Sequence, residues 1–240
     1  MAGIGTAQAV DALMSWWTLA GVDTAVGEAP VNWLRPKPSP RRMSASPAAA
    51  SAPEAARPIL PDTLDSFHAW LATAADLPEA AWSDRRVLPV GPATPRLMIV
   101  TDLPEMDDMH AGTLFTGDQG RLLDAMLRAM GFARDAVHIA SLAITRPPGG
   151  LVEERTEAAL ADRMRHHIRL VAPATVLLLG ERTGRALQAT DGAARPAGLS
   201  PLNHAGGTVP AIATFHPRLL LRQPLAKAEC WRALQLLVQV

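Results

Sequence analysis

A short apolar strand that stops at a proline, with an acidic loop and an amphipathic helix behind it, leaves few folds open to this chain. The stretch is residues 96–124, RLMIVTDLPEMDDMHAGTLFTGDQGRLLD. Leu97-Met98-Ile99-Val100 is a continuous apolar run of the kind buried on both faces of a sheet. It ends at Thr101-Asp102-Leu103-Pro104, where Pro104 cannot donate to a ladder. A polar acidic loop follows, and residues 117–130 then show helical spacing through Leu122, Leu123, Met126, Leu127 and Met130. Strand, loop and helix open a βαβ unit. In open α/β sheets the ligand crevice lies beyond the carboxyl ends of the strands, which is where Asp102 falls.

The same alternation continues downstream. Residues 137–142 read as a second strand, followed by the loop Thr145-Arg146-Pro147-Pro148-Gly149-Gly150 and a helix over about 153–171, broken by Pro173. Thr175-Val176-Leu177-Leu178-Leu179 is a third strand, ending at Gly180 before a short helix through Leu187. A Gly/Pro-rich loop covers 192–207, and a fourth strand over 209–215 ends at His216-Pro217. The last helix, 224–238, is expected to bury Leu225, Ala228, Trp231, Leu234 and Val238. Strands alternating with helices predict an α/β fold, a three-layer αβα sandwich with a four-stranded, mostly parallel sheet. Upstream, residues 63–74 predict a helix capped by Asp62 or Thr63, with Leu64, Phe67, Trp70 and Leu71 facing inward.

Three regions are expected. Residues 1–34 form a helical N-terminal extension, whose helix over 6–20 places Val10, Leu13, Met14 and Trp17 on one face and ends at Gly21. Its tryptophans, Trp16, Trp17 and Trp33, read as packing residues. Residues 35–58, rich in Pro, Ala, Ser and Arg, read as a disordered linker, because such a segment cannot bury enough apolar area to offset its ordering entropy. Residues 59–240 form the α/β domain. At 240 residues and 48% hydrophobic content the chain can bury one substantial core. Zero formal net charge argues against an indiscriminate polyanion binder. The single cysteine, Cys230, excludes an intrachain disulfide and any multi-cysteine metal site. No secretory signal and no bilayer-spanning run is read, so the expected location is the cytoplasm, with no membrane contact.

Four loops leave the strand ends, and their residues carry a resemblance. From about residue 64 to 237 the chain resembles the uracil-DNA glycosylase superfamily, nearest its iron–sulfur bacterial and archaeal branch. Thr101-Asp102-Leu103-Pro104-Glu105 stands where that branch has a Gly-Glu-Ala-Pro-Gly type motif. Thr113-Leu114-Phe115-Thr116-Gly117, followed by Gly120, Leu122 and Leu123, is similar to its Gly-x-Pro-Phe-x-Gly-x-x-Gly-x-x-Leu run. Residues 139–148 match a strand ending in an Arg-Pro-Pro loop. Phe215-His216-Pro217-Arg218 matches a His-Pro-Ser type motif whose loop enters the DNA minor groove.

The resemblance implies a DNA partner and a base drawn out of the stack into a pocket. It implies that Phe115 stacks on that base and that Asp102 positions water or stabilises positive charge on the sugar, with Asp107 and Asp108 as alternatives. It implies that His216 donates to the base carbonyl as charge moves onto the leaving base. Arg146, Arg218 and Arg222 are the candidate phosphate contacts.

The departures are specific. The branch's four cluster cysteines are missing; residues 72–82 cover the region of the first pair, and packing around Trp70 and Trp82 is expected in the cluster's place. No metal or cofactor is expected. The Asn that reads the uracil edge is replaced by Ser141, which lacks an amide's paired donor and acceptor. The motif's final Gly is Glu105, and the minor-groove Ser is Arg218. The expected function is hydrolysis of an N-glycosidic bond of a damaged base in DNA, with weak or altered base specificity. The alternative is a catalytically degenerate glycosylase-fold module that binds DNA, or binds a protein through its N-terminal tether. A nucleotide-binding α/β protein of another kind is the weakest reading, since neither a dinucleotide-binding glycine motif nor a P-loop is present.

Overall fold

A computed structural model describes residues 60–188 and 198–238, together with Val10, Ser15 and Trp16. Most of the expected N-terminal helix and the whole of the expected linker lie outside the described residues. Val10 and Trp16 are both more than half exposed, so the packing role expected of Trp16 is not seen there. The elements below all belong to one unit, Arg57–Val240.

Five strands form one sheet: β1 Leu97–Thr101, β2 His138–Ser141, β3 Thr175–Leu179, β4 Ser200–His204 and β5 Gly207–Thr214. Their order is β2-β1-β3-β5-β4. The first four in that order are parallel, while β4 runs antiparallel to β5. The expected count of four is therefore corrected to five. β4 falls inside the stretch read as a Gly/Pro-rich loop, and its Ser-Pro-Leu-Asn-His sequence has little strand propensity. It forms because β5 presents an edge to pair with, and Pro201 is tolerated at the sheet margin.

Register explains why the chemistry-bearing loops meet. Thr101 pairs with Ser141, Val100 with Leu178, and Leu179 with Thr214. Four carboxyl ends thus fall on one line across the sheet. Sequence order reverses between β1 and β3, and a crevice opens at such a switch point.

Each parallel strand is buried on both faces. Leu97, Ile99, Ile139, Leu177, Leu179 and Ile212 pack on one side with Leu123 and Leu127 of helix α3 (Gly117–Ala129). Met98, Val100, Val176 and Leu178 pack on the other with Leu160, Met164 and Ile168 of α4 (Glu154–Val171). That gives the three layers. Helix α1 (Leu64–Thr73) is capped by Thr63, whose hydroxyl accepts from the Ser66 N–H at 3.3 Å; Phe67 and Leu71 are buried while Leu64 and Trp70 stay half-exposed.

Three further local differences emerge. The expected acidic loop contains a helix, α2 (Met106–Ala111), ended by Gly112 in the left-handed conformation. Residues Pro217–Arg222 form α6, following α5 at Glu181–Leu187. The last helix, α7, begins only at Lys227, so Leu225 lies in a preceding 3-10 turn and is 96% exposed. This sets the helical phase one step from the expected one. Cys230, Leu234 and Leu237 are buried, whereas Ala228 and Trp231 face outward.

Candidate active site

A cleft of about 460 Å³ opens at the carboxyl ends of β1, β3 and β5. Its walls include Asp102, Gly180, Arg182, Arg185, His216, Arg218 and Arg222. Asp102, His216, Arg218 and Arg222 were expected from sequence and are brought together. Phe115, Ser141 and Arg146 do not line it.

His216 caps α6. Its Nδ1 accepts from the Arg218 backbone N–H at 3.1 Å. An accepting Nδ1 carries no proton, so the neutral ring holds its proton on Nε2 and can donate from there. The ring is buried. Burial pushes its pKa below the usual histidine value, against an opposing pull from the Asp102 and Asp108 carboxylates. The lowered pKa favours a neutral imidazole able to donate one hydrogen bond from Nε2.

Phe115 stacks on this ring, with centroids 5.6 Å apart and planes 29° from parallel. Its backbone has φ of 57°, a region where a bulky residue is strained by about 1–3 kcal/mol unless its surroundings fix it. They do so from three sides. Arg134 donates to the carbonyls of Leu114 and Phe115, at 2.7 and 3.3 Å. Asp108 Oδ1 accepts from the Thr116 N–H and hydroxyl, at 2.8 and 2.7 Å, while Oδ2 accepts from the Glu105 N–H at 3.1 Å. Gly120 has no side chain where a Cβ would sit 2.0 Å from the Phe115 carbonyl oxygen. That contact is the physical reason for the second glycine of the Gly-x-x-Gly spacing.

These bonds also separate the three candidate acids. Asp108 is buried and tied to two loops, so it holds the site's backbone in place. Asp107 is exposed. Asp102, half-buried, accepts from the Thr101 hydroxyl at 3.4 Å and lines the cleft.

Ser141 is buried at the end of β2, and its hydroxyl donates to the Ala143 carbonyl at 2.6 Å. The arginines are engaged as well. Glu105 forms ion pairs with Arg218 and, at 3.4 Å, with Arg146, which also donates to the Pro104 carbonyl at 2.8 Å. The Glu105 carboxylate, standing where the resembled motif has glycine, is thus shared by two candidate phosphate ligands. Arg182 and Arg185, on the first turns of α5, escaped the sequence reading. The signal available was their place directly after Gly180, at the carboxyl end of β3.

Fold and site together define an αβα protein with a predominantly cationic cleft, two acids (Asp102 and Glu181) and one donor histidine at a sheet switch point. Residues 88–235, more than half of the chain, match the family described as the uracil DNA glycosylase superfamily. The chain belongs to that family. It is 29% identical over 141 residues to a type-4 uracil-DNA glycosylase of Pyrobaculum aerophilum, covering 55% of this chain and 71% of the relative. It is 29% identical over 134 residues to a type-4 uracil-DNA glycosylase of Thermotoga maritima, covering 53% and 67% respectively.

The iron–sulfur cluster implied by the resemblance does not fit these residues. The sole cysteine, Cys230, is buried in α7. The region expected to hold the first cysteine pair holds Glu79, a fully buried carboxylate bonded to Arg163 of α4. An ion pair occupies that place, alongside the half-buried Trp70 and Trp82.

Proposed function

We propose that the protein is a uracil-DNA glycosylase-like hydrolase that cleaves the N-glycosidic bond of a damaged base with weak or altered base choice. The observation that carries this reading is His216: buried, stacked on Phe115, and locked by its cap bond into the tautomer that donates from Nε2. The base sought is one with a carbonyl oxygen able to accept that proton donor. As the bond from C1′ to the base nitrogen breaks, its electron pair leaves with the base. A hydrogen bond from Nε2 favours the charge gathering on the base oxygen. Asp102 stabilises the positive charge on the sugar and orients the water whose oxygen bonds to C1′, taking up the proton that this water gives up; the departed base is in turn protonated from solvent. Arg182, Arg185 and Arg222 supply positive potential for the backbone phosphates. DNA is the partner this chemistry requires.

Base discrimination is the weak point. Ser141 keeps its proton on the Ala143 carbonyl and does not line the cleft, so it offers no paired donor and acceptor to a uracil edge. Loss of such pairing costs discrimination of about four orders of magnitude in sites built around it. The second reading, a degenerate DNA- or protein-binding module, is favoured by Glu105, which neutralises two arginines at the cleft margin.

Incubation with single-stranded and duplex oligonucleotides carrying uracil, hypoxanthine or xanthine, followed by alkaline cleavage at abasic sites, separates the two. Slow release from at least one substrate, abolished in His216→Ala, supports the hydrolase. Binding without release from any substrate supports the module, and equal release by wild type and His216→Ala removes His216 from the chemistry.

A further inference from the structure

At the other end of the sheet from the cleft, three imidazoles from three elements converge. His68 comes from α1, His138 opens β2, and His167 lies on the inward face of α4. The Nε2 of His167 is 3.2 Å from Nε2 of His68 and 3.2 Å from Nε2 of His138, and one ring nitrogen from each residue falls within 4.8 Å of the other two. We propose that these residues form a binding site for a divalent transition cation of the zinc class, with a structural rather than catalytic role.

Proton bookkeeping favours a cation over a hydrogen-bonded stack. His138 Nδ1 lies 3.0 Å from the Pro92 carbonyl oxygen, which can only accept. That nitrogen therefore carries the proton, and Nε2 presents a lone pair. His167 Nε2 has either one proton or one lone pair, so it cannot accept from His68 while donating to His138. A cation at the focus takes all three lone pairs at once. The Pro92 carbonyl would then be the outer partner that fixes the ring of a liganding histidine.

Distances agree. Two nitrogens each about 2.05 Å from a tetrahedral zinc are about 3.3 Å apart, close to both 3.2 Å contacts. The His68–His138 pair closes by a small movement of His68, the half-buried member at the outer margin. Its partial exposure provides the entry path and room for water as a fourth ligand. His138 and His167 are buried, which favours the neutral imidazole, the form that coordinates. The Phe67 ring, 5.0 Å from that of His167, shields the inner side. Imidazole donors suit zinc, copper, nickel and iron rather than magnesium or calcium. Bound there, the ion ties α1 to the sheet margin and to α4.

The test uses the full chain without an affinity tag, equilibrated with Zn²⁺ or Co²⁺ and then desalted. Elemental analysis should find about one equivalent per chain, and the cobalt form should show the visible absorption of a four-coordinate site. At a free zinc concentration about 100-fold above Kd, the melting midpoint should rise by about 5–10 °C. His68→Ala, at a half-buried helix position, should fold and lose both the metal and the shift, while His68→Cys should keep cobalt with a sulfur-to-metal charge-transfer band. Substoichiometric metal with an unchanged midpoint would overturn the proposal, as would full retention by His68→Ala.

Discussion

Removing the Glu79 carboxylate should cost the domain a large part of its stability. Glu79 is fully buried and the side chain of Arg163 is 7% exposed. Both carboxylate oxygens are bonded to the guanidinium, one at 2.9 Å, and Oε1 also accepts from the Ile144 N–H at 3.2 Å. The guanidinium donates onward to the Leu142 carbonyl at 2.9 Å, and the Glu79 carbonyl accepts from the Thr145 hydroxyl at 3.0 Å. One pair thus joins the irregular segment before β1, the loop after β2, and α4.

Glu79→Ala leaves the arginine buried without its counter-charge and strips the Ile144 N–H of its acceptor. Breaking a buried pair from one side costs about 3–5 kcal/mol, which lowers the melting midpoint of a domain this size by roughly 10 °C. Urea unfolding of wild type, Glu79→Ala, Glu79→Met, Arg163→Met and the Glu79→Met/Arg163→Met double variant measures both the loss and, from the three Met variants, the coupling. Because desolvation of both charges is relieved together, the double variant should be more stable than either single one. Loss of less than about 1 kcal/mol in Glu79→Ala, or strict additivity in the cycle, would refute the reasoning.

Three other outcomes are expected. Gly120→Ala places a methyl 2.0 Å from the Phe115 carbonyl oxygen, so Phe115 must move off His216; base release should fall at least tenfold in a single-turnover assay. Glu105→Gln releases Arg146 and Arg218, and DNA binding measured by fluorescence anisotropy should tighten with a salt slope steeper by one to two units. Because the folded-state pKa of His216 lies below its unfolded value, its contribution to stability is full above about pH 6.5 and declines as pH falls toward the folded pKa. Base release should accordingly stay flat from pH 8 to 6.5 and drop only below, where a protonated Nδ1 can no longer accept from the Arg218 N–H.

β1 and β3 were legible because each is a nearly continuous apolar run that stops at a polar pair or a glycine. β4 was not, since what orders it is the edge of β5 rather than any pattern of its own. The last helix was misphased because Leu225 and Trp231 are the larger hydrophobes, and a 3-10 turn excludes Leu225 from the helix. Asp102 and His216 could be found because both follow strands directly, where register alone brings them together. The Glu79–Arg163 and His68–His138–His167 groups link residues separated by 84 and up to 99 positions. Their trace in the sequence is subtle: Arg163 and His167 sit in phase with Leu160, Met164, Ile168 and Val171, polar residues on a buried stripe. Such residues demand internal partners, though helical spacing alone does not say which.

Glu105 bears on how the cleft meets DNA. An unpaired arginine gains a phosphate at the cost of counterions, and their release drives binding. Arg218, held by Glu105, must first give up one anion to take another, so the exchange yields little net free energy and releases fewer ions. On the proposed function, Arg185 and Arg222, on the cleft walls away from that carboxylate, then carry most of the long-range attraction; Arg182 is itself 4.0 Å from the Glu157 carboxylate, and Arg146 and Arg218 engage only a strand positioned closely enough to displace Glu105. The stacked pair adds a second requirement. Phe115 and His216 lie 5.6 Å apart, and a base between them needs roughly 7 Å, two van der Waals separations. Either the rings part or the base rests on His216 from the cleft side. Phe115 is held by Arg134, Asp108 and Gly120, whereas the ring of His216 is held by a single cap bond, so the movement falls on His216. A substrate that cannot meet the Nε2 proton once that bond is disturbed gains nothing from entering, and this couples base recognition to the geometry of the cap.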